Sequence, residues 1–548
     1  MRSKHFFFPF ISLIVSFLAL SSLAQTSQIK WHYDLKAPSF GQAAMADIDN
    51  DGKPEIVFST YMGDGTVYAL NAEDGSLCWK YYTGSCNDAA PLIYDVDGDG
   101  NPEVIVASSC ITNTFCFNGA TGAVKWKTPT GGTDSPPSVD DIDNDGKPEI
   151  LQGEFNGKVL CINGEDGSIK WEKVVDPNAS IQTSPALLDV NNDGQLDFVV
   201  ATWGGYYPNY YSNVYAFRGD TRVKIWESDT LSDDIYHGAA FGDIDGDGKP
   251  ELVFGCYNDT VYVFNAENGS VKWKFDMGPY CYIGAPVVLA DVNGDNKYEI
   301  LATGWYEMKA ISDTGTEVWN YDIPGYASCF RGPALSDINH DGFLDMIFGT
   351  DDGKVIALNG FDGSEIWTLD LAAEYGNTLD IDHAPVIGDF DGDGKLEGFV
   401  VGGFTAYPDT INSYGRAYAF TLGDGTGPEW PMFQHDSVRS NCVPLNWYEG
   451  IPRYIYHAAD DLKVKVTPNP FRDVLRISIT LKSPGPLTIE LYDLTGRFIA
   501  MIRKIRSLRG EAVYEWDCKE KGLAPGMYLL KVTSGNFTRK AQVIYNEQ

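Results

Sequence analysis

Asp47-Ile48-Asp49-Asn50-Asp51-Gly52-Lys53-Pro54-Glu55 is an acidic loop with carboxylates at positions 1, 3, 5 and 9 and a glycine at position 6. Seven more loops of the form D-x-[DN]-x-D-[GN]-x-x-[DE] begin at Asp95, Asp141, Asp189, Asp243, Asp291, Asp337 and Asp389, at steps of 46 to 54 residues. The surroundings of each loop follow one order. A small-residue and proline approach, such as Ala90-Pro91 or Ala384-Pro385, leads in, and an apolar run such as Glu55-Ile56-Val57-Phe58 leads out. A second run such as Val67-Tyr68-Ala69-Leu70 follows, then a turn of the Glu73-Asp74-Gly75-Ser76 kind and a strand carrying one tryptophan. Short β-rich runs bounded by Gly, Asn and Asp turns predict four antiparallel strands per repeat. One such sheet cannot bury both faces alone, whereas a closed ring of them can, so the period predicts a propeller.

The expected fold is all-β: an eight-bladed β-propeller, with seven blades as the alternative if the eighth repeat packs differently after Gly423, followed by a small C-terminal β-sandwich. Gln28-Ile29-Lys30-Trp31 carries the tryptophan-strand pattern with no strands of its own ahead of it. It is predicted to pair with the last repeat and close the ring.

A hard cation such as calcium takes six to eight oxygens at about 2.3 to 2.6 Å, and carboxylates at alternate loop positions turn toward one centre. Position 1 is Asp47, Asp95, Asp141, Asp189, Asp243, Asp291, Asp337 and Asp389. Position 3 is Asp49, Asp97, Asp143, Asn191, Asp245, Asn293, Asn339 and Asp391. Position 5 is Asp51, Asp99, Asp145, Asp193, Asp247, Asp295, Asp341 and Asp393. Position 9 is Glu55, Glu103, Glu149, Asp197, Glu251, Glu299, Asp345 and Glu397. These predict up to eight structural Ca²⁺ ions, without which the packed carboxylates repel one another. The sixth loop, with Asn296 in place of glycine, is expected to be the least regular.

The loops, their flanks and their spacing resemble FG-GAP and VCBS propeller repeats, the kind that builds the integrin α-subunit head. The stretches Asn71 to Trp79 and Asn118 to Trp126 are also similar to quinoprotein-type propeller repeats. Together these resemblances cover about residues 28 to 430. The second implies a redox cofactor, but the chain has no Cys-Cys dipeptide of the kind found beside pyrroloquinoline quinone, so that cofactor is not expected. Cys116 and Cys161 occupy a repeat slot held elsewhere by alanine and read as small core residues; a Cys110–Cys116 bridge across a hairpin is the pairing that their spacing allows.

Arg2 and Lys4 precede an apolar stretch from Phe6 to Leu20, and Ser22-Leu23-Ala24 offers small residues for cleavage. Residues 1–24 therefore read as a secretory signal peptide, and no other stretch is long enough to span a membrane. Residues 25–430 form the repeat domain and 431–460 the connection, whose start from Trp430 to Asp436 has the composition to order against the ring. The chain carries −35 formal charges, yet residues 461–548 hold 15 Lys and Arg against 9 Asp and Glu. In that segment Pro468-Asn469-Pro470-Phe471, Leu491-Tyr492-Asp493-Leu494-Thr495-Gly496-Arg497 and Gly522-Leu523-Ala524-Pro525-Gly526-Met527-Tyr528 occur in order. They resemble the type A sorting domain of the type IX secretion system, which implies that machinery as a partner and a secreted or outer-surface location.

Strand connections alternate between the faces of a propeller, so the acidic loops and the turns before each tryptophan share one face. The other receives the second-to-third-strand connections and the inter-blade loops. Aligning the repeats on their approach prolines brings His237, Arg331 and His383 into a slot otherwise held by small residues, beside Asp88, Asp134 and Asp382 in the slot before it. These predict a polar channel mouth, and Trp203 and Tyr206 add aromatic surface on the same face. The strong negative charge excludes nucleic acid and anionic membranes as partners. The functional expectation is a binding or adhesion module for glycans or surface proteins. A polysaccharide-degrading, lyase-like enzyme working at the channel mouth is the alternative.

Overall fold

The computed structural model describes residues 27–435 except 207–208, 296 and 424, then 440, 442 and the segments 462–467, 474–493, 498–517, 526–534 and 537–545. The signal segment, Asn296, most of the connection and the Pro468–Phe471 motif lie outside the described residues. The chain divides into two compact units, Met1–Ile451 and Pro452–Gln548.

In the first unit each acidic loop joins the first strand of a sheet to the second. The sheet of repeat 1 runs Ala43–Ala46, Glu55–Ser59, Thr66–Asn71 and Leu77–Tyr82 in spatial order, all antiparallel. Seven more sheets repeat this order. The second and third strands are buried almost throughout, which is why they read as continuous apolar runs, while the tryptophan strands alternate as half-exposed outer edges do.

Closure follows the expectation for the N-terminus. Ile29–Leu35 pairs antiparallel with Tyr414–Gly423, the third strand of repeat 8, with Trp31 opposite Ala419. The first strands of repeats 1 and 8 are neighbours, as are those of repeats 1 and 2, 3 and 4, 5 and 6, and 7 and 8. One apolar cluster runs from Ile56 and Phe58 of repeat 1 to Phe399 and Ala417 of repeat 8. The sheets thus form a propeller-like series joined end to end.

Successive sheets are latched by the tryptophans. The indole N–H of Trp31, Trp79, Trp126, Trp226, Trp273 and Trp319 donates at 2.6–3.1 Å to a backbone carbonyl near the turn of the following repeat. The turn glycine lies flat on the same ring: at Gly122, with φ +66°, an added Cβ would stand 2.6 Å from Trp79. Two latches differ. Trp171 is capped by the Arg222 guanidinium, 5.7 Å from the ring centroid, and the Trp367 N–H has no partner, because repeat 8 departs from the pattern after Gly423.

That departure inserts a strand. Thr426–Trp430 adds to the first strand of repeat 7, and the Ile387 amide of repeat 8 donates to Pro431 at 2.8 Å. Met432, Phe433 and Gln434 are buried. Farther on, Cys442 bridges Phe241 of repeat 5. Part of the stretch read as a connection is therefore packed within the ring. The structure decides the cysteine pairing that the sequence left open: Cys110 bonds to Cys86, and Cys116 is the buried core residue that its repeat slot implied. Hairpin spacing suggested the local partner, whereas the disulfide joins the loop entering repeat 2 to that repeat's second-to-third connection.

In the second unit, Val474–Asp493 pairs with Leu462–Thr467 along its first half, Gly526–Ser534 along its second and Phe498–Asp517 along most of its length. Its register with the last of these breaks between Leu481 and Gly485. Leu475, Ile477 and Ile479 on the first half are buried at period two, as are Leu487, Ile489 and Leu491 on the second half, and both sets share one core with Leu530 and Val532.

Candidate functional site

The acidic loops share one internal frame. In all eight, a position-9 carboxylate oxygen accepts the backbone N–H of position 2, from Ile48 to Glu55 at 2.9 Å through Phe390 to Glu397 at 2.9 Å. The Asp at position 1 accepts the glycine N–H of position 6, as Asp47 does from Gly52 at 2.9 Å. This frame buries the last carboxylate at the second strand's start and leaves most of the others partly or fully exposed, Asp189 and Asp337 being buried as well. Burial first, then the neighbouring Asp charges, pushes Glu55 and Glu299 up to about 7.

Carboxylate oxygens converge within 4.8 Å in five loops: Asp47, Asp49 and Glu55; Asp95, Asp97 and Asp99; Asp141, Asp143 and Glu149; Asp243, Asp245 and Glu251; and Asp389, Asp391 and Glu397. The other three carry Asn191, Asn293 and Asn339 at position 3, and there the amide donates to the position-9 carboxylate. Hard oxygen donors, glycine turns and orphaned buried oxygens fit a divalent cation such as calcium. Glu55 Oε1, Asp197 Oδ1 and Asp337 Oδ1 are such orphans.

Sequence reasoning missed the partner of four of these loops. The residue before the repeat tryptophan is lysine in repeats 2, 3, 5 and 8, and its ammonium bridges positions 3 and 9 of the loop. Lys125 meets Asp97 and Glu103, Lys170 meets Asp143 and Glu149, Lys272 meets Asp245 and Glu251, and Lys30 meets Asp391 and Glu397. Every one of these loops has Asp at position 3. Loops 4, 6 and 7, with Asn there, have Ile225, Val318 and Ile366 in the lysine slot. That pairing was visible in the repeats once loop and tryptophan strand were compared together.

On the opposite face the slot residues converge in part. The Arg331 guanidinium meets His237 Nε2 at 2.9 Å and lies 5.5 Å from the Tyr236 centroid and 5.2 Å from that of Phe330. Asp88, Asp134 and Asp382 all act electrostatically on this arginine, so repeats 2, 3, 5, 7 and 8 contribute to one cluster. Burial, then the charge of Asp134, raises Asp88 well above the carboxylate range. Burial likewise raises Asp382, and it pushes Asp380 up to about 8 with help from Asp382. Burial and Arg331 hold His237 neutral, far below its ordinary range.

Aromatic rings wall the cluster. Trp203 packs on Tyr236 and on Tyr257, both at 5.3 Å, and Tyr282 on Trp305 at 4.9 Å. Tyr206 ends the strand Trp203–Tyr206, and its side chain lies outside the described residues. Tyr257, Tyr282 and Phe330 carry no repeat signature, so the sequence did not single them out. His383 is buried, with its ring against Phe399 of repeat 8 at 5.9 Å.

Phe433 touches Ala90 of repeat 2 and Ala384 of repeat 8 and stands edge-on to His237 of repeat 5 at 5.1 Å. Repeats 2, 5 and 8 meet at one ring only at the centre of the series. Phe433 thus forms an apolar contact beside the Arg331–His237 pair.

FG-GAP-like repeat models match residues 47–106, 95–152, 141–200, 189–254 and 243–302, and a secretion system C-terminal sorting domain matches 465–546. The chain carries FG-GAP-like repeats and a sorting tail. That tail marks it for recognition by the type IX secretion system and for a secreted or cell-surface location, and among the described residues no helix is long and apolar enough to cross a membrane. The FG-GAP-like matches take in six loops; those at Asp337 and Asp389 lie beyond them.

Solved structures of similar fold include the Vibrio cholerae biofilm matrix protein Bap1, with 16% identity, TM-score 0.52, and 75% of this chain and 93% of that chain covered. A europium-containing methanol dehydrogenase is similar at 12% identity and TM-score 0.55, over 72% and 93%. Quinohemoprotein alcohol dehydrogenase ADHIIG from Pseudomonas putida HK5 follows at 14% and 0.50, over 73% and 77%. At these identities the likeness concerns the fold. No curated protein matches the chain.

Proposed function

We propose that this chain, exported with residues 1–24 as its signal peptide, is an eight-bladed propeller stiffened by calcium in its acidic loops, and that it binds a carbohydrate chain across the face opposite those loops. The ring extends from about residue 25 to at least Cys442, and the tail from 461 is a β-sandwich read by the export machinery. The observation that carries the binding reading is the cup: a buried Arg331–His237 pair facing three carboxylates, walled by Trp203, Tyr236, Tyr257, Tyr282 and Trp305. Guanidinium and carboxylate groups suit paired sugar hydroxyls, and aromatic faces suit the apolar side of a sugar ring.

Two hairpins support an elongated ligand. In repeat 8 the strands Leu396–Phe404 and Tyr414–Gly423 outrun their five- and six-residue counterparts in repeat 1. In repeat 4 the hairpin of Trp203–Tyr206 and Asn209–Ser212 forms a sheet of its own with two short flanking strands. Four repeats apart in an eight-membered ring, they flank the cup from opposite sides.

The test is a soluble polysaccharide panel applied to the full chain and to Trp203→Ala and Asp134→Asn. Binding to a glycan that both variants weaken at least about tenfold is expected. Binding unaffected by both, or no glycan bound, breaks the reading. The raised Asp88–Asp134 pair beside a neutral histidine is also an acid/base arrangement, so release of shortened or unsaturated products on the same panel would favour the lyase-like alternative.

A further inference from the structure

We infer that the eight loops form two electrostatic classes: loops 2, 3, 5 and 8 carry a lysine ammonium that bridges positions 3 and 9, where a divalent cation would bind, and loops 1, 4, 6 and 7 lack that lysine, the Arg218 guanidinium of loop 4 meeting Asp193 at position 5 instead. The inference rests on the reading of these loops as calcium sites and adds which of them fill first.

Three observations support the division. The first is compositional. Counting loop carboxylates and the residue before the tryptophan, loops with Lys125, Lys170, Lys272 or Lys30 carry four acids and one base, and loops with Asn191, Asn293 or Asn339 carry three acids and no base. On that count the balance is −3 either way, the position-7 lysines being left out; four of them, Lys53, Lys147, Lys249 and Lys297, pair outside the loops with Glu73, Glu165, Glu267 and Asp313. Loop 1 alone is −4, with Asp49 retained and Cys78 in the lysine slot. Aspartate at position 3 and lysine on the outer strand thus appear together or not at all in seven repeats, as expected if one compensates the other.

The second is geometric. In each lysine loop the ammonium takes the same position-9 oxygen, Oε1, of Glu103 at 2.9 Å and of Glu149, Glu251 and Glu397 at 2.8 Å. The third is what happens without the lysine. The equivalent oxygens of loops 1 and 4, Glu55 Oε1 and Asp197 Oδ1, are buried and have no partner, while in loops 6 and 7 only a neutral amide, of Asn293 or Asn339, takes the lysine's place. Glu55 and Asp197 are at most 1% exposed. A buried carboxylate oxygen without a donor is costly unless a cation satisfies it.

A divalent ion and an ammonium cannot share two carboxylates without strong repulsion. Filling a lysine loop therefore requires the side chain to leave, and these lysines, at 21–25% side-chain exposure, have a path to solvent. The lysine loops keep their position-3 and position-9 carboxylates paired when calcium is scarce and fill last. Loop 1, with the extra charge and no lysine, fills first.

The test is a calorimetric calcium titration of the chelator-stripped full chain. Two classes of four sites are expected, separated at least about tenfold in affinity. Lys125→Met should move one site from the weaker to the tighter class, and Cys78→Lys should move loop 1 the other way. Because these changes act in opposite directions, loss of folding in either one cannot imitate the paired result. A single class of sites, unchanged in both variants, overturns the lysine inference and leaves the calcium reading standing. No calcium bound at all overturns the calcium reading, and this inference with it.

Discussion

The two faces of the ring are built on opposite plans. On one, eight loops repeat the same hydrogen bonds, from position 2 to position 9, in every repeat. On the other, the slot that holds Arg331 in repeat 7 holds His237 in repeat 5 and small residues in most others. The loop face is a local device, complete within nine residues and its own sheet. The cup is non-local, and no repeat contains enough of it to act alone. A frame repeated in every loop and a cluster assembled from several repeats should respond to different perturbations.

The largest expected effect is on the loop face. Stripping metal with a chelator should lower the melting temperature by more than about 10 °C, since cation binding to the folded state alone stabilises it by mass action. An unchanged melting curve with no metal in elemental analysis would break the loop side of the comparison. Next, Phe433→Ala removes the apolar contact beside the Arg331–His237 pair and should cost about 3 kcal/mol in denaturant unfolding. A cost under about 1 kcal/mol would mean that the Met432–His435 segment is not part of the ring's core.

Gly122→Ala tests the latch between sheets. It demands a Cβ 2.6 Å from the Trp79 ring at φ +66°, and should destabilise by about 2 kcal/mol. Gly52→Ala, at φ +91° with nothing within 4 Å, should cost only about 1 kcal/mol. Equal costs would show that the tryptophan contact adds nothing.

The smallest effect belongs to the cup. Asp380 is pushed up to about 8, so its contribution to stability is fully present below its unfolded value near pH 4 and is lost as pH rises through about 8. Between pH 7 and pH 9 the protein should lose about 1 kcal/mol through this group, and Asp380→Asn should flatten that part of the profile. An identical pH profile for the variant would remove Asp380 from the account.

Legibility divides along the same line as the faces. The loops, the four-strand repeats and the Ile29–Leu35 closure were readable because each is set by residues close in sequence or by a missing strand that only one segment could supply. His237 and Arg331 were visible as breaks in a repeat, and the structure joins them. His383 broke the same slot but packs on Phe399. An alignment column says which residues share a height in the ring, not which way each side chain turns.

The sequence by itself determined the repeat, its strands, the acidic loops and the export tail, because periodic turn chemistry and alternating apolar runs act over a few residues. Only the tertiary structure decided that Phe433 packs among repeats 2, 5 and 8, that Cys86 rather than Cys116 meets Cys110, and that four lysines reach back into the loops of their own sheets. Each of those pairs residues brought together by ring closure or by packing between strands, which sets distances that spacing along the chain does not.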